Sequence, residues 1–310
     1  MLWFKFFVCV VLILFFGTKL SRYGDIIAEK TRLGGVWVGL LLLAIVTSLP
    51  EIITGISAVT VVGGQRGVDL AMGTILGSNA LNLFIIAGLD ILCKPSPVLS
   101  IVGRSHILSS SLSVVLIAIA GGAILISINF WDGVMGWLSV YSLILVVLYL
   151  AGSRQIFRKD RYQPATGAEP GVLRYKGVDS RKGYAGFAIS ALVIIGAGIW
   201  LAIIGDEIVA VTGWGTTFVG SLLLAITTSL PELVVAISAI RIGSPDMAIA
   251  DVLGSNMFNM GIGVFCYDAF YTGGSLFSAV SQSHVFTIGI VSLMTVIVIA
   301  GLVFRPRRKT

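Results

Sequence analysis

Two stretches of the chain are near copies of each other, and a duplication on this scale constrains the architecture before any single motif is interpreted. Val38-Gly39 leads through a leucine run to Ala44-Ile-Val-Thr47-Ser48-Leu49-Pro50-Glu51, and Val219-Gly220 leads through a second leucine run to Ala225-Ile-Thr-Thr228-Ser229-Leu230-Pro231-Glu232. After a connection that is shorter in the second copy, Asp69 through Leu76-Gly77-Ser78-Asn79-Ala-Leu-Asn82 returns as Asp246 through Leu253-Gly254-Ser255-Asn256-Met-Phe-Asn259. Ser105-His106 finds its counterpart in Ser283-His284.

The two copies lie in a chain made for lipid. Apolar residues make up 56% of it and charged residues 12%, so most side chains cannot face water without a large hydrophobic penalty. Uncharged runs that match a hydrocarbon core of roughly 30 Å, or about 20 helical residues, recur throughout. They cover 107–131, 133–153, 184–205 and 285–304; two more, at 33–64 and 208–240, are each interrupted by a single acid, and two begin near Asp69 and Asp246. Residues 6–18, between Lys5 and Lys19, have the length of a secretory signal's apolar core. The repeat pairs this segment with 184–205, so it is expected to be a structural helix, the first of nine.

A net charge of +6 does not point to nucleic acid, because the basic residues sort by membrane side. With the N-terminus outside, the inner loops hold Lys19, Arg22, Lys30 and Arg32, then Lys94 and Arg104, then Arg154, Arg158, Lys159, Arg161, Arg174, Lys176, Arg181, Lys182 and Arg241, and last Arg305, Arg307, Arg308 and Lys309. Only Lys5 and Arg66 fall outside. This is the positive-inside asymmetry, and it predicts N-out and C-in. Cys9, Cys93 and Cys266 are expected as buried thiols. His106 and His284, which open two helices on opposite membrane sides, are expected as interfacial residues rather than a metal pair.

In this topology the helix carrying Glu51 runs from inside to outside, and the helix carrying Glu232 runs the other way. The predicted fold is therefore an all-α polytopic membrane protein of two inverted-topology repeats of about five transmembrane helices. Such repeats are a recurring design of secondary transporters, with the substrate site near the midplane where the copies meet. The expected divisions are a first half at 1–153, a basic cytoplasmic linker at 154–182 and a second half at 183–310. The second copy lacks a partner for the run at 133–153, so the sequence reads either as nine helices or as a ten-helix protein cut short.

A carboxylate inside a membrane helix costs about 2.5 kcal/mol or more, so Glu51 and Glu232 need compensation. Proline one residue earlier has no N–H, which is expected to leave the carbonyls of Val46 and Thr227 without a helical donor. Thr47 and Ser48 share a helix face with Glu51, as Thr228 and Ser229 do with Glu232. Ser78 aligns with Asn82 and Ser255 with Asn259, while Gly77 and Gly254 let helices approach closely. This all-oxygen set of hydroxyls, amides, carbonyls and two carboxylates suits a hard cation. Calcium fits the charge of two acids, zinc or copper would call for His or Cys, and sodium likes the same oxygens.

On these residues the chain resembles the cation/calcium exchanger superfamily, in particular its short prokaryotic sodium/calcium exchangers, whose pattern is Gly-Thr-Ser-Leu-Pro-Glu followed by Gly-Asn-x-x-Gly-Ser-x-x-x-Asn/Asp. The resemblance covers nearly the whole chain. It implies that Glu51 and Glu232 ligate calcium and sodium, that Thr47, Thr228 and the carbonyls of Ala44 and Ala225 add oxygens, that Ser48, Ser229, Ser78 and Ser255 complete sodium sites, and that Asn82 and Asn259 line the centre. The chain departs from the pattern at Val46 and Thr227, which replace glycine, and at Thr74 and Asp251, which replace asparagine. Asp251 reads as a solvated capping acid near the cytoplasmic end of its helix. Asn259 stands where some members carry Asp, which argues against the potassium-dependent branch.

The expected function is Ca2+ extrusion coupled to Na+ entry by alternating access, in the plasma membrane of a prokaryote. The bilayer and the two ions are the expected partners, with no cofactor, no nucleic acid and no obligatory protein partner. An H+/Ca2+ antiporter is the nearest alternative, since a buried Glu can also carry a proton. A cation channel would pass calcium without a counter-ion. Enzyme activity is not expected, since G-x-S-x-G, H-E-x-x-H and C-x-x-C are all missing from the sequence.

Overall fold

The computed structural model describes residues 2–31, 33–93, 95–160, 174–175, 177–212 and 226–304. Their long helices are α1 (Leu2–Thr31), α2 (Gly35–Val62), α3 (Gly64–Leu92), α4 (Ser105–Asn129), α5 (Val140–Asp160), α6 (Ser180–Thr212), α7 (Leu230–Arg241), α8 (Pro245–Phe270) and α9 (Ser283–Phe304). Among the described residues, eight helices are long and apolar enough to cross a membrane. The ninth expected crossing, 208–240, is described in part, as the end of α6 and as α7. Ala225 lies outside the described residues, as do Arg32, Lys94, Arg161, Lys176 and the basic tail from Arg305. Large apolar side chains such as Phe4, Phe84, Leu192 and Phe286 point outward, as a lipid-facing surface requires.

Helix contacts establish the inversion independently of any charge rule. Helices α1 and α6 are equivalent in the two copies, and they run antiparallel: a Cβ on Gly183 would meet Ile26, one on Gly186 would meet Tyr23, and Lys5 lies 3.7 Å from Glu207 at the opposite end. Helices α4 and α9 are equivalent too. Gly121 of α4 lies against Ile288, while Leu99, ahead of α4, lies against Gly301, so they also run in opposite senses. It follows that α2 and α8 lie parallel, with Gly35 near Met247, Leu40 near Gly254 and Gly55 near Tyr267.

The α2 and α8 backbones come together over two glycines. A Cβ on Gly39 would collide with the Met247 carbonyl oxygen, and one on Gly254 would lie 2.5 Å from the Leu40 carbonyl oxygen and 2.7 Å from its Cα. Small residues permit this approach. Two π-helical turns, Val38–Leu43 in α2 and Asn259–Gly263 in α8, widen the helices beside the centre, and a third, Ala58–Val62, ends α2. Turns of this kind are frequent at functional sites. Gly63 (φ 64°), Gly64 (φ 56°) and Gly243 (φ 78°) adopt the left-handed backbone that the tight α2–α3 and α7–α8 turns need.

One boundary differs from the sequence reading. The run 133–153 does not begin as helix: Gly133 and Gly136 take positive φ, and β1 (Val134–Met135) pairs antiparallel with β2 (Leu138–Ser139). The reason lies across the bundle, where the buried Asp268 of α8 accepts the Ser139 N–H at 2.7 Å and the Ser142 hydroxyl at 2.6 Å. A carboxylate that satisfies these first-turn donors sets the start of α5 at Val140. The helix then continues beyond Ser153 to Asp160, into the stretch expected as linker. Of the cysteines, Cys9 is buried, whereas Cys93 and Cys266 are partly exposed.

Gly39→Ala and Gly254→Ala are each expected to destabilise the protein by about 1–3 kcal/mol through overpacking of backbone against backbone. Gly122→Ala on α4, where an added Cβ meets nothing within 4 Å, should be neutral or slightly stabilising. Thermal unfolding in detergent checks all three.

Candidate cation site

The acids Glu51 and Glu232 are brought together by elements of both copies, and both are fully buried. Proline acts differently in the two. Pro50 stays inside the helical stretch Ala44–Ser57, whereas Ser229 leaves helical geometry (φ −89°, ψ 9°) and α7 restarts at Leu230 with Pro231 in its first turn. The expected helix break is thus local to the second copy, while the first copy departs from α geometry about two to three turns upstream of Pro50, at its π-helical turn.

Most polar contacts in the site cross between copies. The Ser48 hydroxyl donates to Glu232 Oε1 at 3.3 Å and the Ser78 hydroxyl to Glu51 Oε1 at 3.3 Å. Ser229 donates to Ser78 at 3.2 Å, and Thr47 Oγ1 lies 3.3 Å from Ser255 Oγ. Thr47 Oγ1 also lies 3.4 Å from the carbonyl oxygen of the buried Ala44. Thr228 is fully buried beside them. A reciprocal amide exchange closes the centre: Asn82 Nδ2 donates to Asn256 Oδ1 at 2.9 Å, and Asn259 Nδ2 donates to Asn79 Oδ1 at 3.1 Å. With their nitrogens so engaged, Asn82 and Asn259 keep buried Oδ1 atoms that have no hydrogen-bond partner among the described residues, as do Glu51 Oε2 and Glu232 Oε2.

Two of these distances carry chemical information. Outside the site, a serine hydroxyl meets a carboxylate at 2.6 Å both in Ser142–Asp268 and in Ser244–Asp25, a short charge-assisted hydrogen bond. Within the site the same pair of groups stands at 3.3 Å twice over. Hydroxyl and carboxylate oxygens are held near one another but not drawn together. Among the described residues no Lys, Arg or His forms an ion pair with either acid.

The structure corrects the reading of Asp251. It is fully buried, one helical turn before Ser255, and its Oδ1 lies 3.5 Å from Thr47 Oγ1. The N-cap of α8 is Ser244, so Asp251 caps nothing and does not face solvent. Its neighbourhood follows from the Gly39 contact, which seats α2 directly on this turn of α8. Sequence reasoning also passed over Asn79 and Asn256, although both belong to the duplicated motif, and Tyr267, whose hydroxyl donates to the Glu51 carbonyl at 3.0 Å. The buried Tyr267 ring fills the space left by Gly55.

The histidines are not simple interfacial residues. His106 is fully buried, and its Nε2 lies 2.9 Å from Oδ1 of Asp246, which also accepts the Gly103 N–H. His284 Nε2 lies 3.5 Å from Oδ1 of Asp69, which accepts the Ser281 N–H. Each pair ties an acid opening one repeated helix to a histidine of the other copy.

An inverted pair of helical bundles enclosing buried carboxylates that, among the described residues, have no basic partner is the build of a multi-pass membrane transporter, and comparison with known proteins agrees. The chain belongs to the sodium/calcium exchanger protein family, whose model matches residues 1–153 and 182–309. It is thus a cation/calcium antiporter and not an enzyme. Inner membrane protein YrbG of Escherichia coli is 27% identical over 267 residues, 81% of this chain and 74% of its own length. Sodium/calcium exchanger MaX1 of Methanosarcina acetivorans is 25% identical over 286 residues, 82% of this chain and 80% of its own length. Among solved structures, the sodium-calcium exchanger NCX_Mj soaked with zero Na+ and Ca2+ superimposes with a TM-score of 0.71 at 18% identity, over 98% of this chain and 91% of that one. At that identity the likeness concerns the fold.

The amide exchange yields a stability prediction. Asn256→Leu strips Asn82 Nδ2 and the Asn79 carbonyl of their buried partner, so a loss of about 1–3 kcal/mol is expected in detergent unfolding.

Proposed function

We propose that the protein exchanges Ca2+ for Na+ by alternating access, with Glu51 and Glu232 sharing one divalent ion. The observation that carries this reading is the 3.3 Å spacing between hydroxyl and carboxylate oxygens on both sides of the site. Oxygens bound about 2.4 Å from a common ion, within the calcium range, lie about 3.4 Å apart along an octahedral edge. The unpartnered oxygens of Glu51, Glu232, Asn82 and Asn259 supply the remaining lone pairs. Two carboxylates balance the charge of one Ca2+, and the hydroxyls and the Ala44 carbonyl offer the neutral oxygens that Na+ accepts. Thr228, and Ala225 beyond the described residues, complete the set in the second copy.

The mechanism follows from burial. Two bare carboxylates at mid-membrane strongly oppose passage through an occluded state, and bound cations remove that opposition. An ion shifts such an equilibrium only through its differential affinity for the two states, so exchange is coupled and leak is small. The names of MaX1 and NCX_Mj support sodium as the counter-ion. The distribution of basic residues supports an N-out, C-in orientation in a prokaryotic plasma membrane. The duplicated motif supports halves at 1–153 and 183–310 joined by a cytoplasmic linker at 154–182.

Proteoliposomes loaded with sodium should take up radiocalcium when the sodium gradient is imposed, and a pH gradient alone should drive no uptake. Uptake that depends on the pH gradient alone would reassign the counter-ion to H+. Glu51→Gln and Glu232→Gln should each abolish calcium binding; binding unchanged in both would remove the proposed site.

A further inference from the structure

Asp251 adds a third buried carboxylate for which the two-acid site has no use. Among the described residues its buried Oδ2 has no hydrogen-bond partner, and no basic side chain pairs with it. Its Oδ1 lies 3.5 Å from Thr47 Oγ1, and the next residue, Ser48, donates to Glu232, so Asp251 borders the same site. An isolated carboxylate buried in this way is unfavourable without a counter-charge.

The oxygens around it form a recognisable set. Thr47 Oγ1 lies 3.2 Å from the Leu43 carbonyl, 3.4 Å from the Ala44 carbonyl, 3.5 Å from Asp251 Oδ1 and 3.3 Å from Ser255 Oγ. A threonine hydroxyl has one hydrogen, so it cannot donate to this whole group, and every distance exceeds the usual O–H···O value of about 2.8 Å. Five oxygens with one formal negative charge match a hard monovalent cation, just as the Glu51–Glu232 pair matches a divalent one. The other copy has no equivalent. Thr74 occupies the corresponding position, is uncharged, and donates to Leu70 of its own helix at 2.9 Å.

We propose that Asp251 is a direct ligand of a monovalent cation, held with Thr47, Ser255 and the Leu43 and Ala44 carbonyls in a subsite that only the second copy's acid completes. This rests on the sodium-coupled reading above, under which the cation is Na+. The subsite makes sodium occupancy asymmetric about the inversion axis and gives this chain one more charged sodium position than its two glutamates provide.

The test is sodium displacement of radiocalcium from purified full-length protein, read alongside the sodium concentration that half-maximally raises the thermal unfolding temperature. Asp251→Asn preserves shape and removes the charge. It should raise both sodium midpoints at least tenfold and lower the Hill coefficient of displacement by about one, because an ion is lost from the cooperative set. Asp251→Ser should do the same, and provides the measurement if the first variant does not survive purification. Midpoints and slope equal to wild type in either variant would overturn this proposal while leaving the exchanger reading intact. Wild-type calcium that sodium does not displace would overturn the sodium reading and the subsite with it.

Discussion

The structure is arranged around carboxylates that, among the described residues, have no cationic side chain to answer them. Glu51, Glu232 and Asp251 are fully buried, in a setting where an unpaired negative charge is strongly disfavoured. A structural partner would have been the simpler solution, and the chain gives an acid one at each end of the bundle, where His106 meets Asp246 and His284 approaches Asp69. At the centre it provides hydroxyls, amides and carbonyls instead, groups that can share a cation but cannot replace it.

Inversion makes that arrangement possible. Because equivalent helices run in opposite senses, Glu51 and Glu232 meet from opposite directions, and each copy's motif is completed by the other: Ser48 with Glu232, Ser229 with Ser78, Thr47 with Ser255. The packing that permits this is backbone against backbone at Gly39 and Gly254, reinforced by Tyr267 in the space at Gly55. The π-helical turns stand beside the same contacts, so the irregular parts of α2 and α8 adjoin the segments that carry the candidate site.

Much of this was legible in the sequence. The duplicated Thr-Ser-Leu-Pro-Glu and Gly-Ser-Asn segments, the apolar runs and the one-sided basic loops were enough to infer a helical, inverted-repeat exchanger. What stayed hidden depends on contacts between distant segments. Asp251 looked like a helix-end acid because its burial comes from α2 lying on α8, which spacing along α8 does not reveal. The hairpin at 134–139 reads as helix from sequence because its residues are apolar, and the acid that sets the start of α5, Asp268, is far away in sequence. Asn79 and Asn256 carried a signal in the repeat itself, yet only their pairing across the copies explains them. The histidines stand at helix ends in the sequence, whereas their partners lie in the opposite copy.

The central claim is that acids from opposite copies share one divalent ion. Anomalous diffraction from crystals soaked in calcium, or in strontium as its heavier stand-in, tests it most directly. The account predicts one strong peak between Glu51 and Glu232, within about 2.3–2.6 Å of a carboxylate oxygen of each for calcium. A peak bound by only one of the two acids, or carboxylates directed into separate cavities, would contradict it.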